Sequence, residues 1–356
     1  MTAIIATSVL VLVFFAMLAL PLTPACRELL HKTDHEPLKV VQQHAGDVRF
    51  FADGFRHYLA PIHANLDESD VYGSDTLIVM PDGIPCLVLA KTAASHDFGI
   101  DRENACTKMI ASLGDLELPA GVTFERDIYA RQHLRGGAGN RYRALLGESG
   151  VHLAEESVVM RWVHAVGELE CATQCRLYGR VSSERSIRFH AGCRFTRVHA
   201  PLILTGRSNT NEAAGPGQEV PENTATEIVD RVLQEGDLAI APGEVFTKHL
   251  VVRGELRIGA GARMLGNVKA QKTAFLEPGV IAHGSLISAT ALKIGPDCRL
   301  RGPVIAEHTI SIQPGTHVGS SQAPTTVSAP NIDIAEGVVV CGTLWARDQG
   351  RVMERA

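Results

Sequence analysis

Between residues 238 and 345 the apolar positions return every 18 residues. Leu238, Leu256, Ala274, Leu292 and Ile310 form one column, and Ile240, Ile258, Leu276, Ile294 and Ile312 a second, two residues on. Eight residues from each start stand Phe246, Met264, Ala282, Leu300 and Val318. After a four-residue insertion the unit returns as Ile332, Ile334, Gly337, Val340 and Leu344. In the unit starting at Leu256 the inward candidates are Leu256/Ile258, Ala262/Met264 and Val268/Ala270. Apolar residues two apart mark a strand with one buried face. Three such strands per repeat describe a triangular coil, and a fixed short period is the signature of a solenoid. Gly243, Gly261, Gly279 and Gly315 recur at offset 5, and Gly266, Gly284, Gly302 and Gly342 at offset 10, the corners, where positive φ costs glycine least. Helical runs do not survive so much glycine and proline. The pattern predicts an all-β fold, a β-helix solenoid of about 18-residue triangular coils.

A more weathered copy starts at Leu116, Leu134, Val151, Leu169 and Ile187, with Phe124, Tyr142, Val159, Leu177 and Phe195 at offset 8. Glycine keeps offset 5 at Gly121, Gly139 and Gly192, while Glu156 and Gln174 replace it elsewhere. Five coils are expected here and six in the later block. Eleven stacked coils would span roughly 50 Å. The period leaves open whether the blocks stack coaxially or form two rods. Between them, residues 206–226 are polar and glycine-rich and read as a flexible excursion. Residues 227–233 are expected to add one helical turn, and the charged tail after Trp345 to fray.

Residues 3–22 form an uncharged run of 20, long enough to cross a bilayer as one transmembrane helix. No Lys or Arg precedes it, so the basic start of a secretory signal is missing. Arg27, Lys32 and Lys39 follow it, which places the body in the cytoplasm and the chain in the inner (cytoplasmic) membrane, single-pass, with the lipid bilayer as a partner through residues 3–22. Cys26 lacks a lipobox, since Thr23 stands where Leu is wanted. The aromatic cluster Phe50, Phe51, Phe55 and Tyr58 reads as a cap on the first coil, or else as a helix on the membrane surface. Residues 77–89 read as two short strands around a Pro-Asp-Gly turn, and 104–113 as a brief helix or an irregular coil. The expected organisation is an anchor at 1–25, a juxtamembrane and capping region at 26–115, the degenerate block at 116–205, an insertion at 206–235, the regular block at 236–346 and a tail at 347–356.

Composition narrows the chemistry. A net charge of −5 gives no reason to expect nucleic acid as a partner. Cys171, Cys175, Cys193 and Cys298 fall on inward columns, where thiols act as small hydrophobes in a reducing compartment. No CxxC, Walker loop, nucleophile elbow or dinucleotide fingerprint occurs, so no catalytic, cofactor or metal residue is assigned. His164 and His199 sit in matching stretches two coils apart, about 10 Å, too far for a shared metal and read as a solvated ladder. Arg126, Arg161 and Arg197 form an outward column that could receive an anionic partner, or else a solvated ladder. Trimeric acyltransferases also use triangular β-helices, but offset 6 is loose here (Ser157, Glu244, Thr316). An acyltransferase-like or glycan-binding β-helix acting on envelope polysaccharide is the alternative to a non-enzymatic reading.

The stretch GDLAIAPGEVFTKHLVVRGELRIGAGARMLGNVKAQ, residues 236–271, resembles the bactofilins, bacterial cytoskeletal proteins. The resemblance covers roughly residues 236–346, with 116–204 similar to a second, degenerate copy. It implies a right-handed β-helix that polymerises end to end without nucleotide, or at least homo-oligomerises. It also implies a scaffold for cell-shape and envelope-biosynthesis proteins at the cytoplasmic membrane. The chain departs from that family pattern in its membrane span, its two blocks and its long insertion. The apolar last coil, Val338, Val340, Leu344 and Trp345, is the expected assembly face, because a terminal coil exposes unpaired strand edges.

Overall fold

The computed structural model describes residues 10, 14, 17, 20, 23, 47–65, 75–89, 96–206 and 230–354. The chain divides into two compact units, Met1–Val41 and Gln42–Ala356. The apolar run 3–22 and Cys26 lie almost wholly outside the described residues. Among those residues no helix is long and apolar enough to cross a membrane.

The second unit is a β-solenoid of about 13 turns with 18-residue spacing. The sequence columns become parallel ladders. Leu256 stands across from Ala274, Ala274 from Leu292, Leu292 from Ile310 and Ile310 from Ile332. A second side carries Met264, Ala282, Leu300, Val318 and Val340. The third carries Val268, Leu286, Val304, Val327 and Leu344. Each coil therefore buries its inward residues only between its neighbours, and one apolar core runs through both blocks.

The two kinds of corner glycine answer to different constraints. Gly121, Gly139, Gly192, Gly243, Gly261, Gly279 and Gly315 have φ between 67° and 75°, as expected for offset 5. Glu156, Gln174 and Asp297 occupy the same corner at φ 58° to 62°, although they carry a Cβ. The left-handed region costs a non-glycine residue roughly 1–2 kcal/mol. Glu156→Gly is therefore expected to stabilise the protein by about 1 kcal/mol, read as a higher denaturation midpoint; a lower midpoint would contradict this account. At offset 10 the expectation of positive φ fails for Gly266, Gly284 and Gly302. What they supply is close approach: a Cβ on Gly284 would lie 2.4 Å from the Gly266 carbonyl oxygen.

The solenoid begins earlier than residue 116. Pro85–Leu89 pairs in parallel with Met109–Ser112, which pairs with Ile128–Ala130. Residues 104–113 are thus a coil, turning its corner at Asn104 with φ 58°. The hairpin predicted at 77–89 is present, Thr76–Val79 lying antiparallel on Pro85–Leu89.

The helix Phe50–Asn65 is not a cap on the first coil. It lies along one flank of the first block, with Ala52, Phe55, Leu59 and Ile62 packed among Val88, Ala111, Tyr129, Leu146 and Trp162. The reason is that strands on this side are apolar on both faces: Pro85–Leu89 and Met109–Ser112 are buried almost throughout. The regular block has no such second face, and Leu256–Ile258 and Val268–Ala270 alternate buried and exposed.

The blocks are joined tail to tail. Arg194–Thr205, the last strand of the first block, pairs antiparallel with Val339–Met353, the last of the second. The pairing follows all three sides, from Arg194 opposite Arg351 through Val198 opposite Leu344 to Leu204 opposite Val339. Turning a helical coil end for end preserves its hand and reverses its strand direction, so two like coils meeting at their ends pair in this way. The tail does not fray after Trp345, because residues 347–353 are held between Arg194–Thr205 and Thr325–Ala335. Of the helical turn expected at 227–233, the described part is instead the strand Arg231–Gln234, and residues 207–229 lie outside the described residues. Thirteen coils at the usual strand spacing measure about 60 Å.

Candidate functional site

Assembly of a solenoid depends on its ends, and the end expected to assemble is occupied within the chain. Val338, Val340 and Leu344 are buried, and Trp345 is 38% exposed. Val340 stands across from Ile203, Leu344 from Val198 and Trp345 from Arg197, whose guanidinium lies 5.1 Å from the indole centre. Thr205 Oγ1 donates to the carbonyls of Ala335 and Val338 and accepts from the Val338 amide, which locks the last corner. These four residues are a junction rather than a free face.

Among the described residues, the end without a partner coil is the first coil of the regular block. Arg231–Gln234, Leu238–Ile240 and Val245–Phe246 each pair on one side, with the coil that follows. Among the described residues nothing pairs with their other edges. Val232, Leu238 and Phe246 are half-buried against the core, and Leu233 and Val245 are exposed. At the opposite end, the only described partner of Thr76–Val79 is Pro85–Leu89, and Leu77 and Val79 are exposed.

The arginines expected in one column fall into two neighbouring sets. Arg126, Arg143 and Arg161 gather around Asp127. Arg197 stands in line with Arg180 and Trp162 and not with Arg161, because register shifts separate Val159 from Trp162 and Leu177 from Arg180. Arg180 stands across from Arg197 on the next coil and from Trp162 on the previous one. Arg126, Arg143 and Arg161 all lie near enough to Asp127 to favour its charged form, yet burial dominates and raises the Asp127 pKa above the usual carboxylate value. These arginines are not uniformly solvated. Arg161 is exposed, Arg126 and Arg197 are half-buried, and Arg180 is spent on the helix. Its guanidinium donates to the Asp47 carbonyl at 2.8 Å and lies over Phe51.

Polar contacts complete the seat of the helix. Arg56 makes a bidentate pair with Glu148, both bonds 2.7 Å, and Arg49 donates to Glu184 at 2.7 Å. Beneath them His164 is 1% exposed, contrary to a solvated ladder. Its Nδ1 is 2.8 Å from Ser182 Oγ, while Nε2 stands 3.5 Å from Glu184 without a hydrogen bond. Burial first, and Arg56 second, hold the imidazole below its ordinary pKa and so neutral. A Ser–His–carboxylate series suggests nucleophilic catalysis, but Ser182 is 2% exposed and no substrate carbonyl can reach it. Ser182 pairs with both His164 and His199, so the two histidines are two coils apart as the registers predicted. His199 is half-buried at the junction, 2.9 Å from Thr343 Oγ1.

Cys171, Cys175, Cys193 and Cys298 are buried and free, on the inward columns assigned to them. Among the described residues no group of three His, Cys, Asp or Glu could hold a metal ion. On another flank Glu170 lies between His190, at 2.9 Å, and His152, at 3.3 Å, and the His190 bond chiefly lowers its pKa.

Comparison of the chain with protein-family models, with curated proteins and with solved structures finds no match.

Proposed function

We propose that this chain is a non-enzymatic, bactofilin-type scaffold, anchored through residues 3–22 at the cytoplasmic face of a bacterial inner membrane and self-associating through its open coil. The observation that carries the reading is that coil. Among the described residues, three strands at 231–246 have no partner on their outer edges, around a partly exposed apolar cross-section. Such an edge is a template for another chain. The resemblance of residues 236–271 to bactofilins points the same way, and envelope-biosynthesis proteins are the expected clients. Because the tail end is consumed internally, contact between two open coils is self-complementary and closes a dimer. Longer assemblies would need the Thr76–Val79 edge in addition.

The test is sedimentation of the detergent-solubilised full chain. The wild type is expected to form dimers or larger species at tens of micromolar, and Phe246→Asp to weaken association at least tenfold, about 1.4 kcal/mol or more. Phe246 is a partly buried end residue, so the variant is expected to keep its fold, checked by its melting curve. A wild type that stays monomeric at high concentration would sink the reading.

A further inference from the structure

A groove of about 570 Å³ lies between the helix Phe50–Asn65 and the flank of the first block, within the size range of small-molecule sites. Its apolar walls include Phe51 and Phe55 from the helix and Met109 and Trp162 from the solenoid. Phe51 stacks on Trp162 with ring centres 6.3 Å apart, and Phe55 meets the same indole edge-on at 5.7 Å. Four carboxylates and two arginines also line it, and the carboxylates are already engaged. Asp127 accepts from Arg143, Asp53 from Arg56, Asp82 from the Tyr58 hydroxyl and Asp47 from the Arg49 amide. Arg126 lies near Asp82 and Asp127, yet its Nε is buried and has no hydrogen-bond partner among the described residues.

A buried donor left unsatisfied is unfavourable, and an arginine donor is best matched by an anionic oxygen. An apolar trough with one such donor is complementary to a molecule with a charged head and a hydrocarbon body. We propose that this groove binds a single-chain anionic amphiphile, its carboxylate or phosphate head accepting from Arg126 and its alkyl chain lying on Phe51, Phe55 and Trp162. The site is independent of the solenoid ends and of the scaffold reading.

Trp162 supplies the readout, because the protein has only two tryptophans. In full-length Trp345→Phe protein, Trp162 is the sole tryptophan, excited selectively at the red edge beyond tyrosine absorption, and bromine quenches indole only on contact. The probes are dibromostearate, a brominated alkyl phosphate and the corresponding uncharged alcohol. Saturable quenching is expected with the carboxylate, the phosphate or both, and the pattern identifies the head group. Binding should be about tenfold weaker for the alcohol, and about tenfold weaker for Arg126→Met. Gly54→Leu should abolish it: Gly54 lines the groove, and a Cβ there meets nothing within 4 Å. Leucine favours a helix over glycine, so this variant retains its fold. No saturable quenching by either anionic probe would overturn the proposal, as would quenching unchanged in both Arg126→Met and Gly54→Leu.

Discussion

Gly284→Ala is expected to destabilise the regular block by about 3 kcal/mol, although it adds a single methyl group. The Cβ would lie 2.4 Å from the Gly266 carbonyl oxygen and 2.5 Å from its carbonyl carbon. Those are backbone atoms of the neighbouring coil, so relief requires two coils to separate rather than a side chain to rotate. Gly302 meets Gly284 at the same distance, so the displacement is passed along the stack. Gly279→Ala is the control. Its φ is +73°, but its Cβ would approach nothing closer than 3.9 Å, so it incurs only the left-handed cost of about 1–2 kcal/mol. Denaturant midpoints, with hydrogen exchange across residues 263–304, distinguish the two. A Gly284→Ala variant no less stable than Gly279→Ala would show that coil spacing is not what these glycines serve.

Leu344→Asp is expected to cost about 4 kcal/mol or more, and the loss should fall at the junction of the two blocks. Leu344 is fully buried, across from Val327 on one side and Val198 on the other. Aspartate there removes a core side chain and places a carboxylate between Val327 and Val198, so the coils part to let water in. In a solenoid each coil depends only on its neighbours, so the damage stays local. Exchange protection should fall in Arg194–Thr205 and Val339–Met353 while Leu256–Ile258 and its ladder partners keep theirs. Unfolding should separate into two transitions, because the blocks no longer melt as one core. Uniform exchange with an unchanged midpoint would contradict the junction. The outcome also distinguishes two roles for the last coil. As an external assembly face, Leu344→Asp would abolish association and leave the monomer stable; as an internal seam, it weakens the monomer.

The helix Phe50–Asn65 shows where periodicity stops being informative. Its aromatic cluster suggests a cap or a membrane-surface helix because a helix by itself does not say which apolar face receives it. The decisive signal lies elsewhere, in CLVL at 86–89, MIAS at 109–112 and IYA at 128–130. These short runs do not alternate, and a strand apolar on both faces needs a second layer. The arginine flank has the same history. Arg126, Arg161 and Arg197 follow the period, yet Arg197 stands in line with Arg180, at offset 11, and not with Arg161, because of bulges that a fixed spacing cannot register.

The sequence by itself determined most of what repeats: the 18-residue coil, its three strands, the inward columns from Leu256 to Ile332, the buried cysteines and the left-handed corners at offset 5. Each depends on contacts between residues one coil apart, and a local contact leaves its mark as a period. Only the tertiary structure decided what happens once: which end is paired within the chain, where the helix lies and how the two blocks meet. The pairing of Leu344 with Val198 spans 146 positions and runs antiparallel. Any apolar coil end would be equally suited to a partner molecule or to another part of its own chain. Which of the two it meets depends on the distant end of the other block, and no repeat within either block carries that information.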